Sequence, residues 1–128
     1  MEFSKIKYPS MRGELLHNLK KLSDDSYQSR VWVKNIYPEN VEFDNFDLVV
    51  HFIFDDTSLG DDPASMLGVV LYNENEVELM SALVKALDIL FEKYGTVLSD
   101  EDYMEKPEWA RIVQAAQKAY STMYAHET

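Results

Sequence analysis

The residues best equipped for chemistry are His51, Asp55, Asp56, Asp61 and Asp62, an imidazole followed by two carboxylate pairs that flank a short loop. Such a set suggests a bound cation. A helix running through Asp55 would place His51 and Asp55 at i and i+4 on one face, a spacing that suits a metal ion. A metal site would need a further inner ligand, and the other histidines, His17 and His126, stand on another element and in the tail. The loop also lacks the alternating oxygen ligands of an EF-hand. Paired aspartates at a loop are more ordinarily helix caps and solvated charges. His51, set among apolar residues, reads as a partly buried imidazole bonded to a neighbouring aspartate. No metal and no cofactor are expected on this reading.

A second polar segment is Ser99-Asp100-Glu101-Asp102-Tyr103-Met104-Glu105. An exposed aromatic ringed by carboxylates suits a basic partner, and Asp100, Glu101, Asp102 and Tyr103 join Asp55, Asp56, Asp61 and Asp62 as candidate partner-binding residues. Trp32, Trp109, Tyr8, Tyr27 and Tyr120 are further candidate anchors, although core packing is the commoner fate of such side chains. No serine or threonine stands in a nucleophile elbow, and no glycine-rich phosphate loop occurs. With no cysteine in the chain, thiolate zinc sites, iron–sulfur clusters and thiol nucleophiles are excluded. These absences point away from an enzyme.

The formal net charge is -11 over 128 residues, and it is concentrated in the middle. Residues 1–34 carry seven Lys or Arg against four acids, residues 35–105 two against seventeen, and residues 106–128 three against two. The central segment alone is thus at -15. A field of that sign repels phosphate backbones and anionic lipid, and it draws in basic proteins with fast, salt-sensitive association. Neither nucleic acid nor a membrane is an expected ligand. The stretch from Met1 to Pro9 lacks the apolar run of a signal peptide, and a cytoplasmic address is expected.

These residues must be positioned by helices. Pro9 opens the first, with Met11, Leu15, Leu19 and Leu22 on its inner face and an end near Ser23. Ser23 to Gln28 reads as a cap and a short second helix toward Trp32. Asp44 is a candidate cap for a helix burying Phe46, Val49, Val50 and Ile53, and Asp62 with Pro63 for another burying Met66, Leu67, Val70 and Leu71. The apolar run Leu48 to Phe54 is also rich in strand formers, so a hairpin within residues 46–72 is the competing reading. Asn73 with Glu76 caps a long helix from Val77 to Tyr94, stopped by Gly95. Ser99 caps a short turn, Pro107 opens the last helix through Trp109, Ile112, Val113, Ala116, Tyr120 and Met123, and Ala125 to Thr128 should fray. The expected fold is an all-α, single-domain bundle of five to six helices spanning residues 1–128, the alternative being α+β.

Several segments in order carry a resemblance: Tyr8-Pro9-Ser10-Met11-Arg12, Arg30-Val31-Trp32, Val50-His51-Phe52-Ile53-Phe54-Asp55-Asp56-Thr57, Asp62-Pro63-Ala64-Ser65-Met66-Leu67-Gly68 and Pro107-Glu108-Trp109. Together they resemble a family of small acidic bacterial proteins that includes immunity proteins of contact-dependent growth inhibition. The resemblance implies a cytoplasmic protein that binds the C-terminal toxin domain of a cognate exoprotein and blocks its active site, and it brings no catalytic residues. Many such toxins are nucleases with basic channels, which an acidic surface can occupy. Two other classes stay open: a small metal-dependent hydrolase or metal-binding protein built on His51 and Asp55, and an adaptor for some other basic protein.

Overall fold

The computed structural model describes residues 5–127; Met1 to Ser4 of the opening stretch and Thr128 of the tail lie outside the described residues. Six α-helices follow in order: α1 (Pro9–Leu22), α2 (Asp25–Tyr27), α3 (Phe46–His51), α4 (Glu74–Tyr94), α5 (Asp100–Met104) and α6 (Trp109–Ala125). The chain is all-α. Among the described residues there is no β-strand, only an isolated bridge between Leu67 and Leu71, so residues 46–72 do not form the hairpin.

Local chemistry accounts for the helix ends. Pro9 sits in the first turn of α1 and Lys20 and Lys21 in its last, where the dipole favours positive charge. Asp24, Asn45, Asn73 and Ser99 each accept a backbone N–H from the first turn of α2, α3, α4 and α5. Gly95 stops α4 at φ 77°, in the region only glycine enters without strain.

The expected cap Asp44 is not the cap of α3. Its carboxylate is buried instead, accepting from Tyr27 Oη at 2.7 Å and Trp32 Nε1 at 2.9 Å, with Lys21 Nζ 3.3 Å away. Asn45, one residue on, takes the cap. The helix expected after Asp62 is a single 3-10 turn, Pro63–Met66, because the chain must turn back within a few residues to reach α4. Met66, Val70 and Leu71 are buried nonetheless, and Leu67 is partly so. Hydrophobicity placed those side chains correctly while the element type was wrong.

α2 and α3 both widen at their C-terminal ends into π-helical turns, Gln28–Val33 and Phe52–Asp56. The first widening seats Val31 and Trp32 in the core, the second Phe52 and Ile53. α6 packs chiefly against α4 and α1, with Ile112, Ala116, Ala119 and Met123 meeting the leucines of both. Complete burial of a Leu, Ile or Met side chain is worth roughly 1.5–3 kcal/mol, so this three-helix seam contributes strongly to stability.

One polar network crosses the seam. Arg12 and Glu76, both essentially without solvent contact, pair through two hydrogen bonds of 2.8 and 3.0 Å. Arg12 also donates to the carbonyls of Val70 and Met123 and, through Nε, to Glu127 at 2.8 Å, while its guanidinium lies 4.2 Å from the centre of the Tyr72 ring. Glu76 accepts from the Tyr72 amide, and His126 Nδ1 lies 2.5 Å from its other oxygen. The tail expected to fray is therefore held as far as Glu127, because His126 and Glu127 complete the shell of a buried ion pair.

Candidate functional site

An open depression of about 560 Å³ lies between α3, the start of α5 and the C-terminal half of α4. Its rim carries four carboxylates, Asp47, Asp55, Asp88 and Asp100, and no Lys, Arg or His is among its lining residues. Its floor is aromatic.

The elements explain how this arises. Phe46 sits in the first turn of α3 and stacks toward Phe91 of α4 at 6.0 Å between ring centres; Tyr103 of α5 meets both, at 5.6 and 5.8 Å. Phe54, from the π-helical turn, packs edge-on to Phe91 at 6.4 Å. Phe46 and Tyr103 are buried, while Phe54 and Phe91 are only half-buried and form the accessible part of the floor. Val97, 91% exposed, and Leu98 complete the apolar lip.

Phe54 is fixed by the loop that follows it. Gly60 donates its N–H to the Ile53 carbonyl at 2.9 Å and passes so close to the ring that a Cβ at this position would stand 2.3 Å from Phe54 Cδ1. A side chain there would require the Phe54 ring to move aside. The acidic loop is thus folded back onto the pocket wall.

Asp55 is paired with the His51 imidazole one turn back, whereas Asp88 and Asp100 are less favourably placed. Although Asp88 is exposed, partial desolvation at the edge of the apolar floor, then the charges of Glu92 and Asp61, raise its carboxyl above the ordinary range. Burial likewise raises Asp100; the Phe46 N–H, 3.1 Å away, lowers it, Asp47 and Asp44 raise it again, and the net shift is upward. Like charges gathered on a low-dielectric floor are each harder to ionise. A cation entering the depression would relieve both.

Of the residues anticipated as partner-binding, Asp55, Asp100 and Tyr103 come together here from segments 45 or more residues apart in sequence. Asp61 lies near enough for its charge to act on Asp88. Asp56, Asp62, Glu101 and Asp102 are exposed but do not line the depression. Tyr103 departs from expectation: it is buried, with its hydroxyl donating to the Gly95 carbonyl at 2.6 Å, because the short α5 turns that ring inward onto Phe46. Asp47, Asp88, Phe54 and Phe91 escaped the sequence reading as site residues. The one available signal was Asp88 three residues before Phe91, a spacing that shares a helix face.

His51 and Asp55 do pair across one turn, as the i, i+4 spacing predicts. The imidazole is 59% exposed rather than partly buried, since Val49, Phe52 and Ile53 take the core-facing positions around it. No group of three or more His, Asp or Glu side chains that could hold a metal occurs among the described residues. The remaining candidate anchors divide, with Trp32 and Trp109 in the core, Tyr27 and Tyr120 packed against it, and Tyr8 exposed. No helix among the described residues is long and apolar enough to cross a membrane.

Residues 6–128 match the family described as a domain of unknown function, DUF7945, and the chain belongs to that family. No curated protein and no solved structure matches it.

Proposed function

We propose that this DUF7945 chain is a non-catalytic binding protein that docks a basic protein surface on its acid-rimmed aromatic depression. The observation that carries this reading is the depression itself, in which four carboxylates from three helices and a turn surround an apolar floor that no basic side chain lines. Aromatic anchors inside a charged rim are the anatomy of protein interfaces, and an acidic field speeds the encounter with a basic partner.

Within that class, the best-supported partner is the C-terminal toxin domain of a contact-dependent growth inhibition system, and the chain acts as its immunity protein in the cytoplasm. The ordered series of short motifs set out above supports this choice, as does the concentration of acid in residues 35–105. An acidic surface set against a basic nuclease channel takes the place of the phosphate backbone.

Co-expression with the tagged C-terminal domain encoded immediately upstream tests the proposal. A stoichiometric complex that is lost on reversing Asp47 and Asp88 to lysine, together with protection of cells expressing the toxin, is the expected result. A folded protein that binds no neighbouring toxin would overturn the immunity role, and capture of a different basic protein would make it an adaptor.

A further inference from the structure

We infer that the depression receives an arginine side chain of the partner, its guanidinium stacked on Phe54 and Phe91 and paired with the flanking carboxylates of Asp55 and Asp88. This rests on the binding function proposed above and names the chemistry of its central contact.

The choice of a cation follows from the rim, which presents Asp47, Asp55, Asp88 and Asp100 with no basic residue among the lining side chains. The choice of arginine over lysine follows from the floor. A planar, weakly hydrated guanidinium can lie flat on an aromatic face and still direct N–H groups edgewise to more than one carboxylate. An ammonium group is a compact, strongly hydrated point charge that would surrender its water on this apolar surface and reach the separate acids less well.

The position of the acids relative to the rings fits that pose. Asp88 lies one helical turn before Phe91 on the same face of α4, and Asp55, whose carboxylate also holds the His51 imidazole, lines the same depression as Phe54. Phe54 and Phe91 meet edge to face, at 73°, so a guanidinium lying flat on one would be bordered by the other. Desolvation first, and then the charges of Glu92 and Asp61 at Asp88 and of Asp47 and Asp44 at Asp100, raise these two carboxyls, and a bound cation would favour their ionised forms. Nothing equivalent occurs at the depression between α2 and α6, where Lys106 lines the wall opposite a single acid, Asp25.

The test is an NMR titration of the full chain with three capped amino acids: N-acetyl-arginine methylamide, its lysine counterpart, and the neutral isostere N-acetyl-citrulline methylamide. Saturable amide shifts at Phe54, Asp88, Phe91 and Val97 are expected with arginine. Lysine should bind about fivefold more weakly, and citrulline should give no saturation. The exposed Asp88→Asn substitution should weaken arginine binding roughly tenfold without unfolding the chain, and Phe91→Leu should reduce the preference for arginine over lysine.

Equal binding of arginine and lysine, saturation with citrulline, or shifts scattered over the acidic surface would overturn the inference. The two levels fail separately. If charge reversal at the rim abolishes a toxin complex while arginine does not bind, the partner reading stands and this contact is wrong. Arginine binding in the depression without any basic protein partner would leave the pocket chemistry and remove the proposed role.

Discussion

Glu76 sets the terms at the scale of single residues. Burial alone would raise its carboxyl; the hydrogen bonds from Arg12, then those from His126 and the Tyr72 amide, reverse that and hold it below the ordinary carboxylate range. A depressed folded value means that the group contributes stability above its unfolded value, about 4.3, and that this contribution is lost as pH falls through the folded value. Asp88 and Asp100, shifted upward, act in the opposite sense and gain stability on acidification. Comparison of Glu76→Gln with the parent chain isolates the contribution of Glu76. The variant leaves Glu127 as the one acid bonded to the buried Arg12 charge, and it should lose about 3 kcal/mol in urea unfolding at pH 7. Its loss relative to the parent should shrink as the pH falls below that unfolded value toward the depressed folded one. A loss independent of pH would mean that packing rather than charge accounts for it.

The elements were legible in the sequence to the extent that periodicity specified them. α1, α4 and α6 each repeat apolar side chains over three or more turns, and their inner faces are buried as read, except that Met11, Phe91, Tyr94 and Tyr120 are only partly so. The segment after Asp62 was not legible, because a few apolar residues near a proline satisfy a helix and a compact turn equally well. The pocket was half legible: local composition marked Asp55, Asp100 and Tyr103, but only the fold brings Asp88 and Phe91 of α4 to them. His126 and Glu127 looked like a tail because their partners, Glu76 and Arg12, lie 50 and 115 residues away. Deleting residues 126–128 should therefore cost on the order of 1–3 kcal/mol in thermal or urea unfolding, where a frayed end would cost nothing. Gly60 gives a second test of how elements meet. In Gly60→Ala the new Cβ must displace the Phe54 ring, costing about 1–3 kcal/mol and disturbing the pocket wall. A double variant with Phe54→Leu should recover part of that stability, and purely additive losses in the cycle would remove the steric explanation.

For the molecule as a whole, the same acids have opposing consequences. A net charge of -11, with -15 gathered in residues 35–105, makes the folded state repel itself at neutral pH. Repulsion among exposed carboxylates is screened once ions shorten the Debye length from about 30 Å at 0.01 M to about 8 Å at 0.15 M. The buried Arg12 and Glu76 pair is screened much less, so it should not reverse the trend. Added sodium chloride should therefore raise the urea midpoint of the free chain. It should also slow association with a basic toxin domain, because screening removes the long-range attraction that steers the encounter. Asp47→Asn with Asp88→Asn should flatten both salt dependences, with a stability gain of no more than about 0.5 kcal/mol at low salt. Carboxylates that destabilise the free protein while hastening capture of its partner are the expected signature of a surface kept for binding. Stopped-flow association and urea titrations across the same salt series measure the two effects on one preparation. If stability instead falls with salt, surface ion pairs such as Lys93–Glu108 outweigh the repulsion, and the acidic rim carries no stored strain for a partner to release.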